Sequence, residues 1–255
     1  MSWKDVEIER RGSVAIVTMD RKEKLNAFNP ALIRQMTEVA LSFHGDQQTQ
    51  SVVLTGSGDY FSAGADLTDT EMWEMDGLSD VQIRDRFFLG VRLCEAWERM
   101  PQITVCAMEK LAVGAGVALP LALDWRVMGR SAYLYVPEIK IGLNLQWGAL
   151  PRLTRIVGPS RAKRIIILCE RMYADQALDW GLVDEVTDDG ATLAKAIELA
   201  ERAAEMPAAA VRMVKEAVNA TANALNHASS FADADQSWLT STMSAARKAR
   251  DGFSG

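Results

Sequence analysis

Three short segments of this chain carry residues whose types and spacing could do chemistry. The loop at residues 60–67 (YFSAGADL) and the turn around Gly114 and Gly116 consist of small residues, which let a backbone approach a ligand closely. The turn precedes a predicted helix, so its free N–H groups would favour an anion. The third segment places Glu138, a carboxylate that could move a proton, directly after Pro137. Each segment taken alone also fits an ordinary turn or a solvated surface glutamate.

Other common chemistries find little support in the sequence. A dinucleotide-binding turn would need a third glycine where Leu119 stands. The two histidines, His44 and His227, have no identifiable serine or cysteine elbow and no carboxylate at zinc-ligand spacing. The sequence therefore predicts neither a hydrolase triad nor a metal site.

Composition narrows the class of protein and its partners. The 255 residues are 49% hydrophobic and 24% charged, as in an ordinary globular protein. No apolar run reaches the roughly 18 residues of a membrane span, and residues 1–11 lack a signal-peptide pattern. A net charge of −6 comes without the basic stripe that nucleic acid requires. The protein is therefore expected to bind neither membrane nor nucleic acid. The three cysteines lack the spacing of a redox pair or metal site and are expected to be buried thiols, so we expect a cytoplasmic location.

The elements that must position these segments alternate strands with helices over the first two thirds of the chain. Apolar patterns predict strands at 6–8, 14–18, 52–54, 103–107, 127–128 and 133–135. Helices are predicted after the Asn29-Pro30 cap, over 80–100, and from the glycine turn to about Asp124, with Pro120 inside the last of these. From Thr192 onward, two or three helices broken at Pro207 are expected. We therefore expect an α/β fold with a core at 1–191 and a helical region at 192–255.

Taken together and in order, these segments resemble the enoyl-CoA hydratase/isomerase (crotonase) superfamily. The resemblance covers nearly the whole chain, and the matching segments are residues 24–27 (KLNA), 61–67, 114–116, 137–138, 152–153 (RL) and 179–184 (DWGLVD). It implies a crotonase-like spiral of strand-strand-helix repeats. It also implies a C-terminal helical region that forms trimers, which often pair into hexamers.

The resemblance further implies that the chain binds acyl-coenzyme A thioesters and has no cofactor apart from the coenzyme A of its substrate. By position, the backbone N–H groups of Ala65 and Ala115 would form an oxyanion hole around the thioester oxygen. The coenzyme A-binding residues implied by the resemblance are Lys24 and Ala27 near the nucleotide end, Ala63 and Asp66 near the adenine and pantetheine, and Leu67 beside them. Lys248 is a weaker candidate for a phosphate contact from a neighbouring subunit.

The departures from the family pattern bear on the reaction. Hydratases of this family use two glutamates to activate water, and here the first position is Ala118, so that only Glu138 remains. One carboxylate in an apolar pocket can still take a proton from one carbon and return it to another, which is double-bond isomerisation. Burial should raise the Glu138 pKa towards neutrality. Gln146 stands where dehalogenases and thioester hydrolases of the family place an aspartate, so a covalent aspartyl route lacks its nucleophile.

The acyl pocket and the alternatives follow from the same resemblance. We expect Met72 and Met75 to face Leu143, Gln146 and Trp147 across the acyl chain, which suggests a bulky or cyclic acyl group. The favoured function is enoyl-CoA isomerisation. A second hypothesis is a hydratase or hydrolase in which Gln146, Asn144, Glu71 or Glu74 positions water, and a third is a weakly catalytic acyl-CoA-binding protein.

Overall fold

The computed structural model describes residues 3–253, without the side chains of 247 and 250–253. The strands are β1 (Val6–Arg11), β2 (Val14–Met19), β3 (Ser51–Gly56), β4 (Ile103–Met108), β5 (Leu111–Val113), β6 (Trp125–Gly129), β7 (Tyr133–Tyr135), β8 (Met172–Tyr173) and β9 (Glu185–Thr187). The helices are α1 (Pro30–Ser42), α2 (Thr70–Trp73), α3 (Asp80–Phe87), α4 (Leu89–Glu98), α5 (Ala115–Ala118), α6 (Ala149–Val157), α7 (Pro159–Leu168), α8 (Ala174–Asp179), α9 (Thr192–Ala204), α10 (Ala208–Ala222), α11 (Asn226–Ser230), α12 (Asp233–Ser241) and α13 (Ser244–Phe253). No helix within residues 3–253 is both long enough and apolar enough to cross a membrane.

Six strands form the main sheet in the order β1-β2-β3-β4-β6-β9. β1 and β2 pair antiparallel as a hairpin, and the other neighbours pair parallel. Side chains alternate between the two faces of a strand, so Ala15 and Val17 join the main core while Val14 and Ile16 lie on the opposite face. That face is covered by α9. Burial on both faces explains why the central strands are nearly continuous apolar runs.

A second sheet of three strands, in the order β5-β7-β8, lies beside the first. From β4 to β7 the chain passes back and forth between the two sheets, as a spiral of strand-strand-helix repeats requires. Single bridges continue the second sheet by pairing Phe28 with Ala65 and Ser62 with Ala112. The 60–67 loop is thereby held against β5, directly before the turn at Gly114.

Several helices differ from the sequence-based expectation. The helix expected over 80–100 is two helices, α3 and α4, interrupted at Phe88 (φ −81°, ψ −7°). The helix after the glycine turn ends at Ala118, and Pro120 begins a separate 3-10 turn, because proline has no N–H to continue the helix.

The C-terminal part contains five helices within the described residues, α9 to α13, where two or three were expected. The break at Pro207 is confirmed, since α9 ends at Ala204 and α10 begins at Ala208. α9 packs on the main sheet, while α12 packs on α3 and α13 packs on residues 138–141. The division at residue 191 stays a prediction.

Candidate active site

The 60–67 loop and the turn at Gly114 meet through backbone hydrogen bonds. Ser62 donates its N–H to the Leu111 carbonyl (3.2 Å) and accepts the Val113 N–H (3.0 Å). Gly64 has φ +89°, and a Cβ there would lie 2.5 Å from the Val113 carbonyl oxygen. Only glycine allows this approach.

The two residues proposed for the oxyanion hole are brought to one cavity. The backbone of Phe28 forms hydrogen bonds with Gly64 and Asp66, the residues on either side of Ala65. Ala115 is the first residue of α5. Among residues 3–253, no hydrogen-bond partner is found for the N–H of Ala65 or of Ala115. The positive φ that the turn requires is at Gly114 (+50°) and not at Ala115, so an alanine fits there. Both N–H groups are therefore free to donate to a thioester oxygen, a role that stays a prediction.

The cavity has a volume of about 430 Å³ and is mostly apolar. Its walls come from the 63–67 segment, α2, the start of α4, the turn into α5 and the chain from 135 to 147. A pocket of this size and character is typical of a small-molecule site.

Glu138 provides the carboxylate of this cavity. It begins a 3-10 turn after Pro137, and a Cβ on Gly114 would lie 2.7 Å from its Oε1. Its Oε2 is buried and has no hydrogen-bond partner among the described residues. Burial raises the pKa of Glu138 to about 7, and a hydrogen bond from its own backbone offsets part of that rise. The group is therefore suited to accept and return a proton near neutral pH.

No second carboxylate accompanies Glu138 among the described residues that line the cavity. Ala118 lines the cavity at the position where a second glutamate would stand. Glu71 and Glu74, the acids considered as alternatives, are exposed and do not line it, and Glu71 forms an ion pair with Arg34. Activation of water by either of these two residues finds no support in their positions.

The five residues expected around the acyl chain, Met72, Met75, Leu143, Gln146 and Trp147, all line the cavity. Trp147 has φ +66°, and its indole packs so closely on Gly90 of α4 that a Cβ there would lie 1.8 Å from the ring. Phe28 contacts the same indole edge-on, with 5.6 Å between ring centroids. The roles of the five residues stay predictions, but Gly90 was not anticipated because only the fold places α4 beside Trp147.

Some of the residues expected to bind coenzyme A line the cavity, and others lie outside it. Ala63 and Leu67 line the cavity, and Leu67 is half exposed. Lys24 is exposed at the rim of the 60–67 loop, where its Nζ donates to Thr68 (3.2 Å). Ala27 is buried, and its carbonyl oxygen accepts a hydrogen bond from Arg21. Lys248 lies exposed on α13, and its contact with another subunit stays a prediction.

Asp66 holds the loop together. Its carboxylate pairs with Arg21 (3.1 Å) and accepts the N–H and O–H of Thr68. Burial alone would raise the pKa of Asp66, but hydrogen bonds from Thr68 and Arg21 lower it below its ordinary value. Asp66 does not cap the following helix, since Asp69 accepts the Met72 N–H and caps α2.

Sequence reasoning gave Asn26 and Lys110 no role, and both have left-handed backbones, with φ +53° and +48°. The buried Asn26 side chain accepts the Arg21 N–H and donates to the carbonyls of Ser57 and Tyr60. It therefore links the chain at residues 21–26 to the chain that leads into the 60–67 loop. Lys110 forms an ion pair with Asp59 (2.7 Å). Asparagine tolerates this backbone region, which is the one signal that could have marked position 26.

Comparisons with known proteins establish the family of the chain. A family model described as enoyl-CoA hydratase/isomerase matches residues 9–254. The chain belongs to this family, the crotonase superfamily. It is therefore an enzyme of the enoyl-CoA hydratase/isomerase family with a mixed α/β, crotonase-like fold.

Two relatives in this family carry different activities in their names. A short-chain-enoyl-CoA hydratase from Clostridium acetobutylicum is 30% identical over 220 residues, which are 86% of this chain and 82% of that protein. A 1,2-epoxyphenylacetyl-CoA isomerase from Escherichia coli is 31% identical over 207 residues, 81% of this chain and 78% of that protein. A solved enoyl-CoA hydratase/isomerase structure from Mycobacterium paratuberculosis has a TM-score of 0.89 at 24% identity, covering 97% of this chain and 98% of that one, and supports the fold.

Proposed function

We propose that this enzyme moves the double bond of an enoyl-CoA thioester, with Glu138 as the only proton carrier. The observation that carries the proposal concerns the described residues that line the cavity: Glu138 is the single carboxylate among them, its buried Oε2 has no partner there, and its pKa is about 7. Ala118, which also lines the cavity, cannot hold water or deliver a proton.

The proton transfers follow from the positions of these groups. In a 3-enoyl-CoA, ionised Glu138 takes a proton from C2, and the C2–H electrons move into the thioester to form a dienolate. The Ala65 and Ala115 N–H groups donate to the enolate oxygen, which stabilises the charge that develops there. Protonated Glu138 then returns the proton to C4, and the double bond lies between C2 and C3. The apolar cavity raises the pKa of the carboxyl group, which makes ionised Glu138 a stronger base for the first step.

Hydration of a 2-enoyl-CoA is the second candidate. It is favoured by the names of several relatives, which are called hydratases. Here Glu138 would activate a water molecule that Gln146 positions. Glu138 also disfavours the third hypothesis, a weakly catalytic binding protein, because a buried carboxylate without a partner costs stability that binding alone does not require.

The deciding experiment offers the enzyme a 3-enoyl-CoA and a 2-enoyl-CoA in deuterated water, with products identified by mass spectrometry and NMR. We expect 2-enoyl-CoA from the first substrate, with partial deuterium at C4, since a single carboxylate can return its own proton before exchange is complete. Rapid formation of 3-hydroxyacyl-CoA would instead establish the hydratase.

We also propose that the chain forms a trimer or a dimer of trimers. Large apolar side chains are exposed on the C-terminal helices and the turns between them, namely Met213, Val218, Leu225, Phe231 and Leu239. An apolar surface of this kind favours association between subunits. Sedimentation at micromolar concentration tests this proposal, and a monomer of 28.0 kDa would contradict it.

The three cysteines are free and buried, which supports a reducing, cytoplasmic location.

A further inference from the structure

The carboxamide of Gln146 is an unpaired polar group in the apolar wall of the cavity. Its neighbours Leu143, Leu145 and Trp147 are buried hydrophobic residues that line the same cavity. The Gln146 Oε1 is buried without a hydrogen-bond partner, and its Nε2 donates no hydrogen bond to any of the described residues. A buried polar atom without a partner lowers stability, so a side chain needed only for packing would be apolar here.

The other polar side chains of the cavity are engaged with the protein. Asn144 donates to the Asp233 carbonyl (3.1 Å), and Lys140 donates to the Tyr135 hydroxyl (3.1 Å). Arg86 donates to the carbonyls of Glu71 and Glu74, and the Trp73 indole N–H donates to the Asp66 carbonyl.

Only two of the described residues that line the cavity, Glu138 and Gln146, have a buried side-chain oxygen without a partner. Glu138 is assigned to proton transfer. Gln146 is therefore the group left to bind a polar part of the acyl chain.

We infer that Gln146 binds a hydroxyl group on the acyl chain, so that the enzyme prefers hydroxylated acyl-CoA thioesters over unsubstituted ones. A hydroxyl both donates and accepts, and a carboxamide offers an acceptor and two donors. The two ends of the carboxamide exchange by rotation about its last bond, so either end can pair with the hydroxyl. The inference rests on the proposed acyl-CoA function.

The test measures binding of thioesters that contain no double bond to move. Two pairs are compared by calorimetry: hexanoyl-CoA with 6-hydroxyhexanoyl-CoA, and phenylacetyl-CoA with 4-hydroxyphenylacetyl-CoA. We expect the enzyme to bind the hydroxylated member of at least one pair about 10-fold more tightly, the effect of one added hydrogen bond in a buried site.

The variant Gln146→Met has nearly the same length but no carboxamide. We expect it to bind both members of a pair within about twofold, through loss of affinity for the hydroxylated one alone. The control Gln47→Met makes the same substitution at an exposed site that does not line the cavity, so its preference should match that of the parent. Because an unpartnered oxygen is removed, ligand-free Gln146→Met should melt at or above the parent temperature.

Three outcomes would overturn the inference. They are equal affinities within both pairs, a preference that survives in Gln146→Met, and a lower melting temperature for that variant, which would show a structural role for Gln146. If the parent bound neither member of either pair, the acyl-CoA function itself would fail, so the two failures are distinguishable.

Discussion

Glu138→Gln separates proton transfer from binding at this site. Glutamine has the size and shape of the neutral glutamic acid, and the Ala65 and Ala115 N–H groups are untouched, so acyl-CoA affinity should change by no more than about threefold. Turnover of 3-enoyl-CoA should fall by about 10²–10⁴-fold, the usual contribution of general acid–base catalysis. In the parent, kcat/KM should rise with pH up to about 7 and then level off, because the first step requires ionised Glu138. The residual activity of the variant should lack that rise.

The same substitution should alter stability with a sign that can be worked out. The ordinary pKa of the side chain is 4.5 and its pKa in the fold is about 7, so the folded state binds this proton more tightly than the unfolded state. Stability contributed by the protonated form is therefore present at low pH and is lost as pH rises through 7. Linkage puts the loss at about 3 kcal/mol between pH 4.5 and pH 8.

Melting temperatures measured from pH 5 to pH 8 test this coupling. At about 2–4 °C per kcal/mol for a chain of this size, the melting temperature of Glu138→Gln should gain several degrees on the parent as pH rises. Glu71→Gln, at an exposed site, is the matched control and should follow the parent in both stability and turnover. An unchanged difference across this range, or a variant that keeps most of its activity, would refute the assignment of Glu138 as a buried proton carrier.

Three further substitutions test the packing around the site. Gly114→Ala would place a Cβ 2.7 Å from Glu138 Oε1 at φ +50°, so kcat should fall at least tenfold with a lower melting temperature, measured by steady-state kinetics and calorimetry. Gly90→Ala would push the Trp147 indole into the acyl cavity; KM for long acyl-CoA thioesters should rise and the free energy of unfolding should fall by about 1–3 kcal/mol, and unchanged values would disprove the contact. Ala118→Glu would add the second carboxylate, so hydration of 2-enoyl-CoA should rise at least tenfold; no gain would mean that position 118 does not reach the reacting carbons.

Much of the fold could be predicted from local sequence signals. Asn29 caps α1, as expected, by accepting the Leu32 N–H, and the central strands appear where apolar runs predict them. The helix interruptions were harder to foresee. The break at Phe88 has no proline or glycine to mark it, and Pro120 was placed inside a helix that ends two residues earlier.

Some features of the candidate site could likewise be predicted from the sequence, and others depend on the fold. Small residues in two loops and one glutamate after a proline are local features, so the sequence by itself was enough to identify the family and to select Glu138 and Ala118 as the candidate positions. The pKa of Glu138 depends on how far the surroundings exclude water, and that follows from walls contributed by distant segments.

Only the tertiary structure decided which residues share those walls. From the sequence, Asp66 was expected to contact the ligand. In the fold, its carboxylate pairs with Arg21, which is 45 positions away in the sequence. Asp233, on a C-terminal helix expected to serve assembly, accepts the Gly148 N–H (2.6 Å) and so anchors the chain directly after Gln146 and Trp147. Residue type and local periodicity determine which groups can act and which elements form, because both depend on near neighbours in the chain. Burial, pairing and the shape of the cavity depend on contacts between residues far apart in sequence, and these exist only once the chain is folded.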